Sequence, residues 1–131
     1  NIQHLEQAYN EGKRQIRFSA GMPSEELLEW CDANGVYVAL TAPINSSKAG
    51  ISRRKGGNPS NDPKWRKEYT ERVVQMIHTT KRHPSVVAYY LADDSANGIA
   101  LYEAYLAAKA ISGDRPVIYD DGGGEWNTDL R

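Results

Sequence analysis

The chain has 131 residues, 40% of them hydrophobic and 25% charged, with a formal net charge of -1 and an isoelectric point near 6.3. That balance gives no electrostatic case for nucleic acid or an anionic membrane, and no apolar run approaches the roughly 20 residues of a membrane span. Cys31 is the lone cysteine, which excludes an internal disulfide and offers no cysteine-based metal site.

One domain fits this length, whereas a closed (β/α)8 barrel takes roughly 200 residues or more. No signal peptide is visible and the chain begins at Asn1 without a methionine. The sequence therefore assigns no compartment.

Ile2, Leu5, Ala8 and Tyr9 have helical spacing, and Gly12 stops that helix. Gln15-Ile16-Arg17-Phe18-Ser19 reads as a short strand. Ser24 is the predicted N-cap of a second helix. Glu25 and Glu26 follow in its first turn, where carboxylates suit the helix dipole. Leu27, Leu28 and Cys31 form its apolar stripe, and Gly35 is the predicted C-cap. Val36 to Leu40 is the second strand. An irregular segment rich in Ser, Gly, Lys and Arg runs from about Thr41 to Asn61, and loops of that length are often functional.

Asp62 as N-cap and Pro63 as first residue start a strong helix, with Trp65, Tyr69, Val73, Met76 and Ile77 on its buried face. It ends in a basic turn, Lys81-Arg82-His83, before Pro84. Val86 to Leu91 is the third strand. Asn97 is the predicted cap of a helix carrying Leu101, Tyr102, Tyr105 and Leu106. Pro116 to Tyr119 is the fourth strand, Gly122-Gly123-Gly124 a turn, and Glu125 to Asp129 the tail. Strands alternating with helices imply a parallel sheet with right-handed crossovers. Four such strands make either a small open parallel α/β sheet or half of a barrel.

The most informative stretch is His83 to Ser95. An apolar, β-branched run follows a proline and stops at two adjacent carboxylates, Asp93 and Asp94. Parallel α/β folds build active sites where buried strands deliver polar side chains at their C-terminal ends. Read by itself, Asp93-Asp94-Ser95-Ala96-Asn97-Gly98 is also an ordinary polar strand-to-helix loop.

Several motifs, in order, resemble the catalytic barrel of glycoside hydrolase family 2, the β-galactosidase and β-glucuronidase group. Arg17-Phe18-Ser19 stands where the family has Arg-x-Ser-His-Tyr-Pro. Cys31-Asp32-Ala33-Asn34-Gly35-Val36-Tyr37-Val38 matches a helix end and the strand after it. Asp62-Pro63-Lys64-Trp65 matches a loop-to-helix junction, and His83-Pro84-Ser85-Val86 a helix-to-strand junction. Arg115-Pro116-Val117 with Tyr119 resembles the next strand, and Glu125-Trp126-Asn127-Thr128-Asp129 a segment of the β-galactosidases. The resemblance implies that residues 1–131 are one segment of a (β/α)8 TIM barrel. That segment is a half-barrel of four parallel strands with flanking helices, the second to fifth of eight. It also implies a part in hydrolysing O-glycosidic bonds.

The chain departs from the family at its chemistry. The family's Gly-Asn-Glu-Ser, whose glutamate is the general acid/base, is Ala92-Asp93-Asp94-Ser95 here. Asp94 takes the glutamate position, as a remnant acid/base, and Asp93 the asparagine position. Ala20 stands where the family has its histidine, and Leu40-Thr41 where it has an acidic pair. The family nucleophile lies on a later strand, beyond Arg131. The isolated chain is therefore expected to be inactive. A non-catalytic carbohydrate-binding or degenerate barrel module, or a small structural or interaction domain, is the alternative.

Arg17, Glu125 and Trp126 are the candidate substrate-binding residues, with a carbohydrate as the expected ligand. Arg17 reads equally as a structural ion-pair member, and Trp126 as a partly buried packing residue. Trp30 and Trp65 read as packing residues. His4, His78 and His83 lack ligand spacing, so no metal or other cofactor is expected. Cys31 reads as inert core, and Arg53-Arg54-Lys55 as a solvated charge run, with phosphate or acidic-sugar binding as the minor alternative. A four-stranded arc leaves two sheet edges, so self-association through open edges is expected, with eightfold closure from two copies as one form of it.

Overall fold

The structure, a computed structural model, describes residues 2–19, 21–44, 59–93, 95, 97–120 and 125–129, with the backbone alone at 61. Asp94, Arg53-Arg54-Lys55 and Gly122-Gly123-Gly124 lie outside the described residues. Among those described, the elements are α1 (Ile2–Asn10), β1 (Gln15–Arg17), α2 (Glu25–Asn34), β2 (Tyr37–Thr41), α3 (Arg66–Thr80), β3 (Val86–Tyr90), α4 (Ile99–Lys109) and β4 (Val117–Ile118). Their alternation is the one the sequence predicts.

Local chemistry explains the boundaries. Ser24 Oγ accepts from the Leu27 N–H at 3.1 Å and starts α2. Gly35 ends it at φ 69°, a left-handed turn that glycine adopts without strain. Asp62 caps a 3-10 turn over Pro63–Trp65, and the α-helix proper starts only at Arg66. Pro63 suits this place because a first-turn N–H has no intrahelical partner to lose, and 3-10 turns are frequent at helix N-termini. Asn97 is not the cap of α4. That place falls to Gly98, and the Asn97 side chain pairs with Asn127 in two reciprocal amide bonds of 2.9 Å. Leu106, one of the four large residues noted on this helix, does not join the core. It is exposed, and α4 buries Ala100, Leu101, Ala104 and Ala108. Small residues let this helix approach its neighbours closely.

The four strands lie in the order β1-β2-β3-β4, every neighbouring pair parallel. A doubly wound open sheet reverses its strand order at a switch point. This sheet follows the chain without reversal, as the arc of a (β/α)8 barrel does. One face is buried under the helices: Val38, Leu40, Val86, Tyr89 and Val117 are almost wholly covered. Tyr89 points there, its hydroxyl 3.0 Å from that of Thr80 on α3. The other face carries Gln15, Arg17, Tyr37 and Val87, all exposed. It is the concave side of the arc.

A bulge changes the facing within β3. Val38 pairs with Val86, but Ala39 pairs with Ala88, so Val87 is the extra residue. Simple alternation from buried Val86 would turn Tyr89 to the concave side. The inserted residue reverses this, sending Tyr89 to the helices and Tyr90 to the concave face.

The N-terminal end of the sheet is clamped by charge. His83 Nδ1 lies 2.5 Å from Asp32 Oδ2, at the end of α2, and Asp32 Oδ1 accepts the Ser85 N–H at 2.9 Å. His83 Nε2 is 2.9 Å from Glu25 Oε1 but not aligned for a hydrogen bond, so that contact is an ion pair. Arg115 adds a second clasp. Its guanidinium donates to the carbonyls of Val86, Lys81 and His83 at 2.6, 2.8 and 2.9 Å. It thus ties the start of β4 to the turn before β3.

Burial of His83 disfavours its charged form, but the hydrogen bond to Asp32 and the close negative charges of Asp32 and Glu25 outweigh this and raise its pKa above 6.5. Asp32 is the mirror case. Burial pushes its carboxyl up, and the bonds from His83 and Ser85 bring it below the ordinary 3.8. A group that binds its proton more tightly when folded stabilises fully below its unfolded pKa. That contribution is lost as pH rises through the folded value. Asp32 contributes in the opposite sense, losing its share as pH falls through its depressed value. Urea unfolding should therefore show stability declining as pH climbs from about 6.5, the ordinary histidine value, upward. His83→Gln should cost roughly 1–3 kcal/mol at pH 6 and remove that decline. An unchanged slope in the variant would rule the clamp out as its source.

Candidate active site

Arg17 ends β1 on the concave face. Its register partner is Ala39, whose own partner is Ala88. Two alanines in succession leave room for the guanidinium to cross β2 and reach β3. There it lies over the Tyr90 ring, 3.5 Å from the centroid. Its Nη1 donates to Asp120 Oδ2 at 3.1 Å, and Nη2 is 3.9 Å from Asp93 Oδ1. Asp93 follows β3 and Asp120 follows β4, so three strand ends converge on one cation. The side chains of Arg17, Asp93 and Asp120 are 38%, 21% and 52% exposed, open to a ligand. Below the cluster, a concavity of about 620 Å³ runs down between Tyr37, Ala39 and Val87.

The loop after β3 is fixed by its own bonds. The Asp93 N–H donates to the Ile44 carbonyl at 2.9 Å, and Ser95 Oγ donates to the Asp93 carbonyl at 2.8 Å. The Tyr119 hydroxyl donates to the Ser95 carbonyl. These bonds hold the backbone on either side of position 94 at the C-terminal end of the sheet. Thr41, at the end of β2, is fully buried, and its hydroxyl has no hydrogen-bond partner among the described residues. Among the described residues no group of three His, Cys, Asp or Glu side chains could hold a metal ion.

Residues 13–130 match the family described as "Glycosyl hydrolases family 2, TIM barrel domain". The chain belongs to glycosyl hydrolase family 2. Over 95 residues, 72% of this chain, it is 34% identical to a β-galactosidase of Photobacterium profundum and equally to one of Vibrio vulnificus. It spans 9% of the length of either relative. The fold is shared with a β-D-glucuronidase of Dictyoglomus thermophilum at TM-score 0.74 and 23% identity, over 90% of this chain and 22% of that one. A β-glucuronidase of Ruminococcus gnavus gives TM-score 0.73 at 20% identity, over 88% and 20%. The partial TIM barrel is thus the fold of this segment.

As a family 2 barrel arc, the segment unites only some of the residues expected at its mouth. Arg17 and Asp93 meet. Trp126 makes its ring contacts elsewhere, stacked on Tyr102 at 5.0 Å and edge-on to Tyr105 at 5.8 Å, both on α4. Glu125 is half-buried beside it. Tyr90 and Asp120 complete the cluster and were not singled out in the sequence. Asp120 carried the signal that marked Asp93, a carboxylate just past an apolar strand. Tyr90 became legible only with the bulge.

Residues 125–129 fold back along β4. The Asp129 N–H donates to the Val117 carbonyl at 2.8 Å, and Asp129 Oδ2 accepts the Val117 N–H at 2.7 Å. Thr128 Oγ1 accepts the Tyr119 N–H at 2.9 Å. The β4 edge, expected to stand open, is therefore covered at Val117 and Tyr119. The carboxyl of Asp129 also accepts from the Tyr105 hydroxyl at 2.6 Å and from Lys109 Nζ at 2.9 Å. Burial opposes its charge, but these bonds outweigh burial and lower its pKa below 3.8.

Asp129→Ala should cost roughly 1–3 kcal/mol by removing the acceptor of the Val117 N–H and of the Tyr105 hydroxyl. It should also loosen the Trp126 stack, read as a change in tryptophan fluorescence that Trp126→Phe abolishes. In the unmodified chain the same change should appear as acid protonates Asp129, below the ordinary carboxylate range. Wild-type stability and fluorescence in Asp129→Ala would refute the role of this carboxyl.

Proposed function

We propose that this chain is a segment of the catalytic barrel of a β-galactosidase-like glycoside hydrolase, acting in the hydrolysis of O-glycosidic bonds, with its mouth cluster lining the sugar site. The observation that carries this reading is the convergence of Arg17, Asp93 and Asp120 at the C-terminal strand ends of a family 2 barrel arc, where such barrels build their sites. The identity to β-galactosidases supports the choice within the family. Arg17 orients sugar hydroxyls, and Asp94 stands at the acid/base position.

The segment alone is half a site. Retaining glycosidases work with two carboxyl groups about 5 to 5.5 Å apart across the scissile bond. The family nucleophile aligns beyond Arg131. An aspartate at 94 also withdraws its carboxyl by one methylene, and a displacement on the ångström scale can cost about 10²-fold. A second reading, a non-catalytic carbohydrate-binding barrel, is favoured by the replaced positions Asp94, Leu40-Thr41 and Ala20.

Purified chain is expected to show no enzyme-like turnover of an aryl β-galactoside. Robust turnover abolished by Asp94→Asn would refute half-site inactivity. Grafting the segment into the matching region of the Vibrio vulnificus β-galactosidase separates the two readings. The chimera should be weakly active, and Asp94→Glu should raise kcat by about 10²-fold. A folded chimera that Asp94→Glu leaves inert would favour the binding module.

Self-association, where it occurs, runs through β1 and the concave face, because the β4 edge is covered at Val117 and Tyr119. Tyr37 and Val87 there are 53% and 41% exposed. Sedimentation equilibrium at high micromolar concentration should then show a dimer that Tyr37→Asp dissociates. A folded monomer at that concentration excludes the association.

A further inference from the structure

We infer that Asp120 sets the polarity of the mouth, fitting it to a neutral glycoside and against an anionic one such as a uronide. This rests on reading the cluster as a sugar site and names the class of sugar. Arg17 brings one positive charge, and Asp93 and Asp120 bring two negative ones, so the trio is net anionic. A ligand carboxylate binds arginine best through two parallel N–H bonds from the guanidinium fork. Here Nη1 already donates to Asp120, Nη2 faces Asp93, and Tyr90 covers one flat side. An incoming carboxylate that took the Nη1–Nη2 edge would compete with Asp120 for Nη1 and sit beside Asp93. A sugar hydroxyl has no such conflict. It can donate to a carboxylate oxygen and accept from the guanidinium at once, and alternating donors and acceptors are what the cluster presents.

The charges are partly exposed, so the discrimination is moderate and sensitive to salt. Family 2 includes both kinds of namesake, β-galactosidases by sequence and β-glucuronidases by fold, so membership alone does not decide the point.

The test is NMR on the full, isotope-labelled chain, following the Arg17 Nε–Hε signal, assigned by its loss in Arg17→Lys. The probes are methyl β-D-galactopyranoside and the sodium salt of methyl β-D-glucuronide. The galactoside should shift the signal. The glucuronide should bind at least about threefold more weakly at low salt, a ratio that shrinks in 0.5 M NaCl. Asp120→Asn should narrow or invert the ratio, with Asp120→Ser as a second variant and circular dichroism to confirm folding. Equal or tighter glucuronide binding by the unmodified chain would overturn the charge inference while leaving the sugar site standing, as would a ratio that neither folded variant alters. If neither glycoside moves the Arg17 signal in any form, the sugar-site reading fails and the inference with it.

Discussion

One inserted residue in β3 determines how the two layers of this segment connect. Because Val87 has no partner on β2, the two tyrosines after it face opposite ways. Tyr89 is buried against the helices and shares a hydrogen bond with Thr80. Tyr90 carries the Arg17 guanidinium on its ring. With strict alternation each would take the other's place. Arg17 would then lose its ring, and the Thr80 hydroxyl one of its two partners, keeping only the Met76 carbonyl. Bulges at strand ends commonly re-aim side chains at sites, and this one serves the core and the mouth together.

The two ends of the sheet use charge for different ends. At the N-terminal end, Asp32 and Arg115 satisfy backbone groups where helix turns into strand, and His83 holds Asp32 in place. His83 is nearly buried, so its charge is stabilised only through its two carboxylate neighbours. At the C-terminal end, the Arg17 cluster is open to solvent and joins side chains from different strands. In barrels of this kind the first end serves stability and the second serves chemistry. The distribution of burial here follows that division.

Much of the fold was legible in the sequence, since helix caps and apolar periods are local. Ser24, Gly35 and Asp62 act as their residue types suggest. What local pattern could not show was competition from distant residues. Asn97 looks like a helix cap but is drawn away by Asn127, thirty positions on. Leu106 lies one turn from Tyr102, yet the buried face of α4 is set by Leu101 and three alanines, Ala100, Ala104 and Ala108. The covered edge of β4 depends on Asp129, a residue whose sequence context marks only a polar tail. In the site, Asp93 was legible from the end of its strand, and Arg17 from the family resemblance. Tyr90 was not, because a period-two count through Val87 puts it on the wrong face.

The contact between Arg17 and Asp120 also bears on the shape of the sheet. β1 and β4 are separated by two intervening strands, and at ordinary spacing three strand intervals span about 14 Å across a flat sheet. Side chains stand roughly perpendicular to a flat sheet, so only part of an arginine's and an aspartate's length would run across the strands. The bond of 3.1 Å forms because the sheet curves toward its concave face, bringing the first and last strand ends closer above the small side chains of Ala39 and Ala88. Curvature and site are thus one feature. The arc that makes this segment part of a barrel is also what lets a single guanidinium gather carboxylates from two further strands. A flatter sheet with the same sequence would keep its helices and its core and lose the mouth.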